Sequence, residues 1–238
     1  HGADGVRAVQ VCGVAGCLPV LAAPVTTAAS DLDAVVRELP TYRTAMQWCV
    51  KHDRGLDGLR IATALNQYWQ IRDCGEGLSW LVPLRDAVPE PCLERALGAR
   101  AIASVAFFLG DFALTKRMME DAAQYARSIG DSALLNAATK SIAWAERVMY
   151  DPAAGAHFEE SIAPLRAAGD IASLIDALTG KAEVAFASGN VTSGREAAEE
   201  AVSAASTGDP ATMIQARCFA GFGPCLPGDL IPPGELPD

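Results

Sequence analysis

A chain of 238 residues can bury a sizeable core or extend as a repeat array. Alanine is abundant, aromatics make up 6%, and valine and isoleucine never gather in alternating runs, which favours helices over a sheet-based fold. A formal net charge of −10 and a pI near 4.8 oppose a phosphate-tracking surface, and no direct nucleic-acid contact is expected.

From the beginning of the chain, the stretch Val6–Ala29 carries one arginine and an apolar run interrupted by Gly13, Gly16, Pro19 and Pro24. Without a basic cluster ahead of it, this is expected to be neither a signal peptide nor a membrane span. The missing initial methionine points to a piece of a longer protein, and residues 1–29 are expected to be an irregular segment or linker. Helices follow at 31–52, at 56–72 and, shorter, near 76–88, where Pro83 should kink or shorten the element. Six more are expected at 92–109, 112–129, 132–149, 153–168, 171–188 and 191–206, with apolar positions at helical spacing. Ala138, Ile142, Ala145 and Met149 make one stripe, and Leu114, Met118, Ala122 and Tyr125 another.

The punctuation between these elements is periodic. Gly130, Gly169 and Gly208 stand 39 residues apart, each followed by aspartate, and between them Asp73, Asp111, Asp151 and Asn190 step by 38, 40 and 39. Glycine accepts the left-handed conformation that ends a helix, and the following Asp or Asn can accept hydrogen bonds from the next helix's free amides. In Asp151-Pro152 and Asp209-Pro210 the proline is expected at the first helical position. Two helices per repeat follow. The fold class read from this is all-α, a right-handed solenoid of antiparallel helix pairs of the tetratricopeptide kind, spanning residues 30–220. A further helix should begin at 210–220 and give way to a Pro/Gly-rich tail at 221–238.

Chemistry-bearing patterns are missing. The seven cysteines form no CxxC pair and no cysteine–histidine set with metal-ligand spacing, which predicts free thiols in a reducing, cytoplasmic setting rather than disulfides or a metal site. No phosphate loop, GxSxG elbow, HExxH or EF-hand occurs, and His1, His52 and His157 are far apart in sequence. No catalytic residue, cofactor or metal is expected, and no membrane association.

Three segments resemble one family pattern: Leu39-Pro-Thr-Tyr-Arg-Thr-Ala-Met-Gln-Trp48, Gly58-Leu-Arg-Ile-Ala-Thr-Ala-Leu-Asn-Gln-Tyr-Trp69 and Glu76-Gly-Leu-Ser-Trp-Leu81. They are similar to the helical region of large actinobacterial LuxR- and AfsR-type regulators, in which such repeats follow a signal-transduction ATPase core. Tyr42, Leu78 and the Asp73-Cys74 step depart from that pattern, and neither a P-loop nor a DNA-reading helix-turn-helix is present in this chain. The resemblance implies a tetratricopeptide-like module of a transcriptional or signalling regulator, with an ATPase domain of the same longer chain as one partner.

The candidate binding residues lie on first helices. Lys140, Trp144 and Arg147 are spaced i, i+4 and i+7, roughly opposite the Ala138 stripe, where the first helices of stacked pairs line a concave groove. An aromatic between two cations suits an acidic peptide or anionic ligand. By the same register Arg100 and Glu183 face the groove in neighbouring repeats. The plainer alternative packs Trp144 on an adjacent helix and leaves both cations solvated. Trp48, Tyr68, Trp69 and Trp80 read as core. The expected function is a non-catalytic sensor or scaffold binding a protein, peptide or inducer on its concave face. The alternative is a structural arm for homo-oligomerisation with no groove ligand.

Overall fold

The computed structural model describes residues 29–205, and every regular element among them is an α-helix. The expected helix at 210–220, the Gly208 and Asp209-Pro210 marks and the terminal segments 1–28 and 221–238 lie outside the described residues. The helices are α1 (Ala29–Lys51), α2 (Gly55–Ala64), α3 (Asn66–Arg72), α4 (Cys74–Asp86), α5 (Leu93–Phe108), α6 (Phe112–Ile129), α7 (Ser132–Val148), α8 (Ala154–Ala168), α9 (Ile171–Ala187) and α10 (Val191–Ala205). They fall into two compact units divided between Asp131 and Ser132.

Short turns force consecutive packed helices to run antiparallel. In the first unit α5 pairs with α6; in the second, α7, α8, α9 and α10 each pack on the next. Equivalent helices also touch, α2 with α5 and α7 with α9, which is the arrangement of stacked helical repeats.

The repeating punctuation forms these turns as its chemistry requires. Gly130 and Gly169 adopt φ of 70° and 68°, and the cap acceptors Asp73, Asp111, Asp170 and Asn190 take the amides of Glu76, Leu114, Ser173 and Ser193 at 2.8 to 3.2 Å. At the equivalent position before Asp151 stands Tyr150, a left-handed non-glycine residue with φ 57° that is almost wholly exposed. Pro152 is not at the first helical position. Asp151 accepts from the Ala153 amide at 3.0 Å and its own carbonyl from that of Ala154, so the proline sits in a tight Asx turn and α8 starts at Ala154. Because α7 stops at Val148, Met149 leaves the otherwise buried stripe of Ala138, Ile142 and Ala145 and is exposed.

The single helix expected at 56–72 is broken at Leu65, a fully buried residue with φ −85° and ψ 6°. The cause is Trp69. Its indole N–H donates to the Ala62 carbonyl at 2.9 Å, the oxygen that a straight helix would give to the Asn66 amide. The motif Glu76-Gly77 completes this corner. A Cβ at Gly77 would lie 2.6 Å from Trp69 Cβ, so only glycine lets α4 rest on α3, while Glu76 takes Arg43 of α1 through two bonds of 2.6 and 2.5 Å. Tyr68 and Trp69 are core, as expected. Trp48 and Trp80 are half-buried, Trp48 stacked on His52 and Trp80 donating to Glu76. Pro83 lies inside α4, and Pro40 inside α1.

The second unit is packed mainly by alanine. Ala143, Ala177, Ala182, Ala197, Ala198 and Ala201 surround Phe158, Ile162, Leu174 and Leu178. Gly180 makes room for the Phe158 ring, which a Cβ there would meet at 2.2 Å. The buried Glu146 carboxylate of α7 is held by His157 of α8 at 2.6 Å.

Candidate functional site

The face predicted from α7 forms within the second unit, against α9. Seven residues are close to two helical turns, so Lys140 and Arg147 leave α7 on the same side, as Asp176 and Glu183 leave α9. Lys140 Nζ lies 2.9 Å from Asp176 Oδ2, and Arg147 pairs with Glu183. Trp144 occupies the interval between these two rungs. Its ring meets Phe158 of α8 edge-on, centroids 5.4 Å apart, and the Arg147 guanidinium carbon stands 5.3 Å from its centroid.

Burial pulls the pKa of Arg147 below its ordinary value. The indole N–H of Trp144 has no hydrogen-bond partner, and neither has the hydroxyl of Thr179 on α9. Both atoms are enclosed by the protein, so they are unsatisfied groups of the interior and not donors offered at the surface.

Of the five candidate residues, the structure brings together Lys140, Trp144, Arg147 and Glu183. Arg100 is exposed on α5, in the other unit. The plainer reading of the trio holds in part. Trp144 does pack on an adjacent helix, yet the cations are paired rather than solvated, so the four charges balance and the face offers an aromatic ridge in place of a positive slot. Asp176 and Phe158 were missed. The sequence carried a signal for the first, because Asp176 lies 36 residues beyond Lys140, just as Glu183 does beyond Arg147.

That spacing recurs. Arg43–Glu76, Arg60–Glu94, Arg85–Asp121 and Arg166–Glu200 are 33 to 36 residues apart, each joining one helix to its equivalent in the next repeat. The separation is a repeat less about one turn. Such pairs contribute little individually when exposed, about 0–1 kcal/mol, but they fix the register of neighbouring repeats.

The arrangement is that of a helical-repeat protein, with a tetratricopeptide-like fold. No family model matches the chain, and no curated protein matches it in sequence. Among solved structures it is similar to aspartyl phosphate phosphatase F from Bacillus subtilis, at 10% identity and a TM-score of 0.67. The match covers 82% of this chain and 53% of that one, so the chain spans about half the length of its neighbour. At that identity the likeness is one of fold. Among the described residues no helix is long and apolar enough to cross a membrane.

Proposed function

We propose that this chain is a non-catalytic interaction module of a transcriptional or signalling regulator, one that receives a protein or peptide on the α7–α9 face. The observation that carries the reading is Trp144: a half-buried aromatic, clamped between two cross-helix ion pairs. A rigid aromatic is the kind of anchor that protein surfaces use, since little side-chain entropy is lost on binding. With its charges balanced, the face favours a peptide backbone or neutral side chain over a bare anion. The finer setting, a LuxR- or AfsR-type regulator whose attached ATPase reads the binding event in the cytoplasm, rests on the resemblance of the three opening segments.

One observation favours the second reading, a structural arm for self-association: both cations of the face are already occupied by acids of α9. The two are separated by capture of partners from the parent organism's extract together with sedimentation equilibrium of the chain. Under the binding reading, Trp144→Ala and Lys140→Glu abolish capture and leave the sedimenting mass alone. If neither variant alters capture and the chain is an oligomer, the arm reading replaces it.

A further inference from the structure

The first unit contains a cavity of about 340 Å³ between α4, the beginning of α5 and the end of α6. That is the lower end of the range for small-molecule sites, roughly 300–1,000 Å³. It is separate from the α7–α9 face, and nothing in the reading above uses it.

Its polar wall is built around two arginines. Arg85 is only 5% exposed. Its Nη2 lies 2.5 Å from Asp121 Oδ2 and its Nη1 3.6 Å from Asp86 Oδ1, while its Nε–H has no partner. Arg95 donates through Nη1 to two main-chain carbonyls, those of Arg85 and Val88, which tie down the α4–α5 turn but leave its charge unneutralised. Of the lining residues Arg85 and Arg95 are positive and Asp121 negative, so the wall carries one net positive charge.

The first turn of α5 borders the cavity through Cys92, and its acid, Glu94, is already taken by Arg60 of α2, by its own main-chain amide and by the Cys92 thiol. The groups of the wall that attract an anion are therefore the two guanidiniums, Arg95 with no acidic partner and Arg85 with an unpartnered Nε–H. The remaining wall is apolar or aromatic, from Pro89, Pro91, Ala99 and Tyr125.

We propose that this cavity is a binding site for a small organic monocarboxylate, its carboxylate held by Arg95 beside Arg85, its apolar body against the two prolines and Tyr125. A doubly charged phosphate fits less well, because it would face the Asp121 carboxylate with more charge than the wall can balance.

The test is a titration of the whole chain followed by amide chemical shifts and by calorimetry. Benzoate represents a small acid and N-acetyl-alanyl-phenylalanine a peptide C-terminus; benzamide, the peptide's C-terminal amide and inorganic phosphate are the controls. At least one carboxylate should bind at millimolar concentration and perturb residues 85–99 and 121–128, and the tighter of the two names the source. Arg95→Gln should weaken it about tenfold or more, as loss of a charge-assisted bond does. Because that variant also loosens the α4–α5 turn, the exposed rim residue Gln124 supplies a second pair: Gln124→Glu should weaken binding and Gln124→Lys strengthen it, each roughly threefold for a partly screened charge. The proposal is overturned if neither carboxylate binds, if the amides or phosphate bind as tightly, or if the two Gln124 variants move affinity in the same direction.

Discussion

The two units use the same device for close helix packing in different proportions. Large side chains are seated against glycines in both: Trp69 on Gly77, Leu84 on Gly58 and Leu59 on Gly98 in the first, Phe158 on Gly180 and Phe186 on Gly194 in the second. The first also buries Met46, Leu65 and Leu81 fully, whereas alanines make up more of the second core and Phe158 is its largest fully buried side chain, set among Ile162, Leu174, Ile175 and Leu178. A core richer in alanine concentrates its burial energy on fewer positions, because a methyl group buries little.

The largest expected effects test that contrast directly. Phe158→Ala and Trp69→Ala should each cost about 3–5 kcal/mol in denaturant unfolding, with Phe158→Ala at the upper end because the alanines around it cannot lean in to fill the void. A clearly smaller loss at Phe158 than at Trp69 would contradict the concentrated-core view. Hydrogen exchange should place each loss of protection in the unit that carries the substitution.

Enlargement should discriminate in the opposite sense, at about 1–3 kcal/mol. A methyl at Gly180 would strike the fully buried Phe158 ring at 2.2 Å, whereas one at Gly58 would meet a terminal methyl of the buried Leu84 at 2.5 Å and Cys49 Cβ at 3.0 Å. Gly180→Ala is therefore expected to lower the unfolding midpoint markedly, and Gly58→Ala by less, since a leucine terminus can rotate and alanine recovers helix propensity. Equal losses would show that the two cores are equally rigid.

At the turns the second unit holds an exploitable flaw. Tyr150 occupies the left-handed position that Gly110, Gly130, Gly169 and Gly189 fill elsewhere, and its side chain is nearly all in solvent. Tyr150→Gly should stabilise the chain by about 1–2 kcal/mol, the cost of a left-handed non-glycine residue, as read by thermal unfolding. An unchanged or lower midpoint would mean that the exposed ring makes a contact worth as much as the strain.

The smallest effects are at the caps. Asp170→Ala should cost about 1 kcal/mol at neutral pH. The Ser173 amide and hydroxyl hold the Asp170 carboxyl below its ordinary pKa, and Arg43 does the same for Glu76 in the first unit. Both groups have depressed folded-state values, so their contributions are complete above the unfolded carboxylate pKa, about 4, and vanish as pH falls through the folded values. Asp170→Ala should accordingly flatten the acid limb of the stability–pH curve, measured by urea unfolding between pH 2 and pH 6, whereas a limb of unchanged slope would remove Asp170 from this account.

Much of the fold was legible because its determinants are local. A glycine followed by Asp or Asn stops one helix and starts the next within three or four residues, so the turns from α5 to α6, α6 to α7, α8 to α9 and α9 to α10 fall within one residue of their expected places. Where a boundary depended on a side-chain bond the reading failed. Helical spacing around Leu65 does not announce a break, because the break rests on the indole of Trp69, four residues on, taking the Ala62 carbonyl. The site divides in the same way. Helical spacing alone put Lys140, Trp144 and Arg147 on one face, but it could not show that α9 returns an acid to each cation, nor that Arg100 belongs to a different unit.

By itself, then, the order of residues determined which segments are helical, where they turn and how often the pattern repeats, since each of these is decided by backbone chemistry over a few neighbouring positions. Only the tertiary structure decided which charges cancel, which indole is left without a partner and where a cavity remains. Those outcomes depend on side chains brought together from 33 to 36 residues apart, and on the volume left over once they have packed.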